Sequence, residues 1–194
     1  MSSIIKVDTI DEKTPTSGVT IDGVLVKDGE VDGVDVSAIT QGITIADTWR
    51  LTANVSNTIN YITTNLERVD DASFGYVGTG MTESSGTFSF PSTGIYMITL
   101  HASCTTRSIG DNNTFLRVST DNFTSYDDVI RLDGDNANSS DINYVSSGTT
   151  FVDVTDTSNV KVRIYVDQRA TTATLMGNTD INRSSITFIR LGNT

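Results

Sequence analysis

From residue 43 onward the chain alternates. Val160, Val162, Ile164 and Val166 stand two residues apart, with Lys161, Arg163 and Tyr165 between them. Successive side chains of an extended backbone point to opposite faces, so the four apolar residues share one face of a strand. The same period recurs at Phe88/Phe90, at Ile95/Met97/Thr99 and at Ile186/Phe188/Arg190. Polar clusters punctuate it: Pro91-Ser92-Thr93-Gly94, Gly110-Asp111-Asn112-Asn113, Asp133-Gly134-Asp135-Asn136 and Asp156-Thr157-Ser158-Asn159. Such residues supply turn conformations. Strands are predicted over 48–55, 86–90, 94–104, 114–119, 128–132, 144–154, 160–166 and 185–191. Short strands at this spacing form a sandwich or a barrel. In the last of them Ile186 and Phe188 are core candidates, and Arg190 ends their stripe where the strand exits into solvent. Ile189 and Leu191 make its second face apolar too, which suits a strand at the centre of a sheet or against another subunit.

Composition narrows the function classes. Only 37% of the 194 residues are hydrophobic, and stretches rich in Ala, Leu, Glu and Lys are absent, so helices are not expected. A formal charge of −11 repels phosphate backbones and anionic lipid, which excludes nucleic acid and membrane as partners. The opening Met1-Ser2-Ser3-Ile4-Ile5-Lys6-Val7-Asp8 lacks the basic and apolar regions of a signal peptide. No stretch approaches the roughly 20 apolar residues of a membrane helix. The expectation is a soluble protein that leaves its cell by a route such as lysis. With one cysteine, Cys104, no internal disulfide can form.

The first 42 residues read differently. A Thr14-Pro15-Thr16-Ser17-Gly18 loop precedes a stretch with glycines at 18, 23, 29 and 33. Between them Val19/Ile21, Val24/Val26 and Val34/Val36 keep the two-residue spacing, and Val31 adds a further apolar position. Strands of three to five residues cannot cover an apolar face or pair their own edges. Three identical chains about an axis, or docking on a larger surface, would meet that need. A flexible linker would be rich in Gly and Ser, whereas this stretch alternates Val with Asp. Residues 1–42 are therefore read as an attachment arm or shaft, and 43–194 as the globular domain.

Little in the chain suggests bond chemistry. The one histidine, His101, lies three residues from Cys104 in a predicted strand, which sends the two to opposite faces. A Cys/His nucleophilic pair needs contact, and one of each cannot build a structural zinc site. Asp133-Gly134-Asp135-Asn136-Ala137-Asn138 starts like a calcium loop, but Asn138 and Tyr144 stand where the loop's Gly and Glu belong. Acidic residues sit mostly in turns rather than as a paired set for glycan cleavage. No catalytic residue, metal or cofactor is expected. The remaining binding candidate is the polar loop over 119–128, where Phe123 and Tyr126 either stack on sugar rings or a protein pocket, or fold back on the sandwich.

One segment carries a family resemblance. Phe88, Pro91, Gly94 and Tyr96 in Thr87-Phe88-Ser89-Phe90-Pro91-Ser92-Thr93-Gly94-Ile95-Tyr96 fill the fixed positions of the F-x-x-P-x-x-G-x-Y segment of the C1q/tumour-necrosis-factor-like jelly roll. The late strands, 147–154, 160–166 and 184–191, are similar to that family's closing strands. The resemblance covers residues 43–194 and implies a ten-stranded jelly-roll sandwich that associates as a homotrimer. No collagen-like stalk precedes it here. Separately, Met1 to Ile10 and Gly18-Val19-Thr20-Ile21-Asp22-Gly23-Val24 resemble the starts of structural proteins from phages of marine bacteria, cyanophages among them. That resemblance implies a virion-surface protein. It would be a homotrimeric fibre or capsid decoration, partnered with capsid or tail proteins and anchored by its arm. The alternative is the receptor-binding tip of a tail fibre that recognises host surface glycan or protein.

Overall fold

The computed structural model describes residues 19–21, 24–27, 30–31, 34–35, 42–134, 136–137 and 142–194. Contacts divide the chain into Met1–Gly42 and Ile43–Thr194. Among the described residues there is no helix.

The first unit is a meander of β1 (Val19–Ile21), β2 (Val24–Lys27), β3 (Glu30–Val31) and β4 (Val34–Asp35), paired antiparallel in chain order. The strands pair with one another within a single chain, and β1 and β4 each keep one edge without a partner strand among the described residues. The register sets Val19 opposite Val26, Ile21 opposite Val24, Val26 opposite Val31 and Val31 opposite Val34. Val36 lies outside the described residues.

The second unit is a sandwich of two antiparallel sheets. Its strands are β5 (Ala46–Leu51), β6 (Val55–Ser56), β7 (Ile59–Tyr61), β8 (Leu66–Arg68), β9 (Thr82–Ser84), β10 (Thr87–Ser89), β11 (Gly94–Thr106), β12 (Asn112–Ser119), β13 (Asp127–Leu132), β14 (Ile142–Val154), β15 (Lys161–Gln168), β16 (Thr174–Leu175) and β17 (Ser185–Gly192). One sheet runs β6-β16-β11-β17-β5-β8, with β14 also on β11; the other runs β13-β12-β15-β10-β9, with β7 also on β15. As expected, β17 is central, between β11 and β5, with Ala46 opposite Ile189. Ile186 and Phe188 are fully buried, while Arg190 reaches the surface and donates from Nε to the Thr93 carbonyl at 2.9 Å.

Between the sheets the alternating residues interdigitate. Tyr96, Ile98 and Leu100 of β11 meet Leu116 of β12 and Val162, Ile164 and Val166 of β15 in one core cluster. Phe88 packs against Phe188 with ring centroids 5.3 Å apart and takes the edge of Trp49 at 5.6 Å. The Phe88-to-Tyr96 segment is the corner that holds the two sheets together, carrying the chain from β10 in one to β11 in the other. Gly94 turns that corner at φ +140°, where an added Cβ would stand 2.4 Å from the Gly192 carbonyl oxygen. Only glycine suits both demands.

Two strand expectations need correction. The strand predicted over 48–55 ends at Leu51, one step before the Thr52 amide makes a last bond to the Asn65 carbonyl at 2.8 Å, and Val55 belongs to the separate β6. Five strands went unpredicted, β6, β7, β8, β9 and β16. Each is two or three residues long, too short to show a period.

Candidate functional site

Each sheet has an outer face, and the two faces differ in chemistry. On the larger sheet, the register aligns Phe151, Met97, Ile189 and Ala46 across β14, β11, β17 and β5. The next row is Thr149, Thr99, Thr187 and Thr48. Its hydroxyls bond in pairs, Thr99 with Thr149 at 2.9 Å and Thr48 with Thr187 at 3.0 Å. His101 follows, between Ser147 and Ser185. These three rows carry no carboxylate or guanidinium until Arg50, and Asp153, two residues beyond Phe151 on β14, shares the face. Phe151 is 65% exposed and Val145 is 63% exposed, both on β14. Both are large apolar side chains left exposed on one sheet face.

The rows end at an ionic corner. Arg50 is buried and meets three carboxylates, Glu67 at 2.7 Å, Asp70 at 2.9 Å and Asp71. Nearby the buried Asp47 accepts from Arg68 Nε at 2.9 Å, from Trp49 Nε1 at 3.0 Å and from the Met81 amide at 2.7 Å. These bonds fasten the loop over 62–81 to β5.

Across the sandwich, the outer face of the smaller sheet is aromatic and cationic. One row is Arg131, Phe115, Tyr165 and Tyr61, across β13, β12, β15 and β7. The adjacent row is Asp128, Arg117, Arg163 and Thr87. Arg117 is nearly buried, with its guanidinium carbon 3.7 Å from the Tyr165 centroid and 4.2 Å from that of Tyr126, and Nε on Asp128 at 2.6 Å. Arg163 stands directly opposite Arg117, a like-charged cross-strand pair of the kind that costs stability. It donates from Nε to Thr87 Oγ1 at 2.8 Å and lies 4.2 Å from the Phe123 centroid.

The loop over 119–126 folds back onto this face and completes it. Ser119 Oγ accepts from the Phe123 amide at 2.7 Å, and Asp121 accepts from the Ser125 amide at 2.9 Å and the Ser125 hydroxyl at 2.6 Å. The Ser125 hydroxyl, its amide and the Ser119 hydroxyl together hold the Asp121 carboxyl down to about 2. Asn122 and Phe123 take positive φ, +55° and +64°, unusual for such residues and strained for Phe. The result sets the Phe123 ring edge-on to Tyr61 at 5.9 Å. Tyr126 keeps one face against Arg117 and is 47% exposed.

The sequence singled out Phe123 and Tyr126, and the fold brings both to this face. Arg117, Arg163, Tyr61, Phe115 and Tyr165 were not singled out. Their only local signal was Lys161, Arg163 and Tyr165 on the side of β15 away from its valines. Cys104 is buried, which pushes its thiol pKa up, and His101 is on the opposite face of the same strand. No group of three or more His, Cys, Asp and Glu that could hold a metal occurs among the described residues. In the Asp133 turn, Asp133 pairs with Arg131; Asp135 and Asn138 lie outside the described residues.

No protein-family model and no curated protein matches the sequence. Solved structures do match the fold. The chain is similar to the Eiger TNF of S. frugiperda, with a TM-score of 0.57 and 10% identity over 79% of this chain and 96% of that one. It is also similar to murine APRIL, with a TM-score of 0.51 and 10% identity over 76% of this chain and 98% of the other. The fold is an all-β, tumour-necrosis-factor-like jelly roll.

Proposed function

We propose that the protein is a homotrimeric structural component of a phage particle, a fibre or capsid decoration displayed at the virion surface. Residues 1–42 anchor it to capsid or tail protein, and residues 43–194 project outward. The observation that carries the trimer is the row Phe151, Met97, Ile189 on the outer face of the larger sheet. Apolar area of that kind contributes roughly 25 cal/mol per Å² when covered, and three copies about an axis cover it symmetrically. The arm's alternating apolar residues offer a second contact of the same chemistry. The phage assignment is supported by the sequence of residues 1–24. Such a protein works by assembly and strand pairing, without bond chemistry.

The test has two parts. Light scattering at micromolar concentration should give three times the chain mass of 20.9 kDa. Antibody labelling of purified particles should place the protein on their surface. A stable monomer would remove the trimer, and unlabelled particles would remove the virion assignment. Incubation with host polysaccharide should release no reducing ends; steady release would reveal an enzyme.

The aromatic and cationic face favours a second reading, a receptor-binding tip. Five rings and three guanidinium groups on an outer face add nothing to the core. Adsorption of the purified protein to host cells separates the two readings, since a pure decoration adsorbs to none.

A further inference from the structure

We propose that the outer face of the smaller sheet binds a short uronic-acid-bearing glycan, one sugar ring stacked on Tyr126 and a carboxylate held by Arg163. This rests on the receptor-binding reading and is independent of the trimer.

Charge is the first reason. Arg117 and Arg163 face each other across β12 and β15, and Asp128 bonds Arg117 alone. Arg131 pairs with Asp133, whereas Arg163 has no carboxylate partner among the described residues. The chain has 24 acidic residues against 13 basic ones, so an uncompensated cation opposite another cation is not for want of carboxylates. Arg163 commits Nε to Thr87 and a face to Phe123, which orients the guanidinium while leaving its outer edge for a ligand. That edge matches a planar carboxylate with two parallel hydrogen bonds.

Preorganisation is the second. Phe123 is held at φ +64°, with its ring 4.2 Å from the Arg163 guanidinium carbon. Tyr126 is pinned from one side by Arg117, at 4.2 Å. Its other side is free to take the apolar C–H face of a pyranose, an amphipathic ring like its own.

The experiment is calorimetric titration of the full-length protein with tetragalacturonate and tetramannuronate, and with galactotetraose as the uncharged control. Light scattering on the same samples reports the oligomer separately. At least one uronate should bind, at least tenfold more tightly than galactotetraose, and less tightly as salt is raised. Arg163→Gln and Tyr126→Ala should each weaken it about tenfold, and Tyr126→Phe should retain it. Failure of both uronates to bind overturns the proposal, as does equal binding of the neutral sugar or indifference to Arg163→Gln. Host-cell adsorption that persists while both uronates fail would keep the receptor reading and sink this site. Loss of adsorption as well would sink both.

Discussion

The phenol of Tyr96 donates to the carbonyl of Ser92, four residues upstream and 3.0 Å away. Tyr96 is otherwise buried, with its ring against Phe90 at 4.7 Å. The bond ties the Pro91 turn to the strand that follows it. Tyr96→Phe leaves the packing and strands the Ser92 carbonyl, so it should cost about 1–2 kcal/mol. Urea unfolding with an unchanged m-value would measure this, and an unshifted midpoint would show that water replaces the phenol.

Asp121 makes the loop over the aromatic face sensitive to acid. Its folded-state value, about 2, lies below that of an unfolded aspartate. The loop's stabilisation by this carboxylate is therefore complete above the unfolded value of about 4, and is lost as pH falls through about 2. The Ser125 amide resonance should titrate with a midpoint near 2, and Ser125→Ala should raise it. A midpoint near 4 in the unmodified protein would contradict the hydrogen-bonded geometry.

Phe151 and Ile189 lie on the face proposed to hold the trimer, each directly opposite Met97. Phe151→Asp and Ile189→Asp put charges where three copies would meet, and burying one unpaired costs several kcal/mol. Light scattering should report monomers at micromolar concentration with an unchanged circular dichroism spectrum. Trimers that survive both substitutions would move the interface elsewhere.

Removal of residues 1–37 deletes most of the first unit and spares every strand of the second. The truncated protein should fold and should fail to co-sediment with particles lacking this component, while the full chain joins them. Equal co-sedimentation would put the anchor in the jelly roll. Loss of folding would show that the two units are one cooperative whole.

What was legible beforehand was local. Phe88, Pro91, Gly94 and Tyr96 fall within nine residues, and the corner they form needs little else. The alternation of β15 and β17 named their buried faces, whereas in β11 the stripe Ile95, Met97 and Thr99 lies outward and Tyr96, Ile98 and Leu100 are buried. The aromatic and cationic face was hidden because it depends on register. Arg117 and Arg163 are 46 residues apart and become neighbours only when β12 pairs with β15. Tyr61 joins them through a three-residue strand with no period of its own. The row of Phe151, Met97 and Ile189 was hidden for the same reason, since each residue alone reads as an ordinary outward position of its strand.

Strand β5 begins where β17 ends, with Ala46 opposite Ile189 and the Arg190 amide on the Ile45 carbonyl at 2.9 Å. Chain entry and chain exit therefore sit side by side. Tension between them would unzip that pair rung by rung, the weak direction of a sheet. A pull between the N-terminal side of β5 and the Tyr126 face instead crosses from one sheet to the other. Such a load falls on the packing of Phe88, Tyr96 and Phe188 between the sheets as well as on the ladders. Force applied through that face would have to part the shared core before the chain could be drawn out.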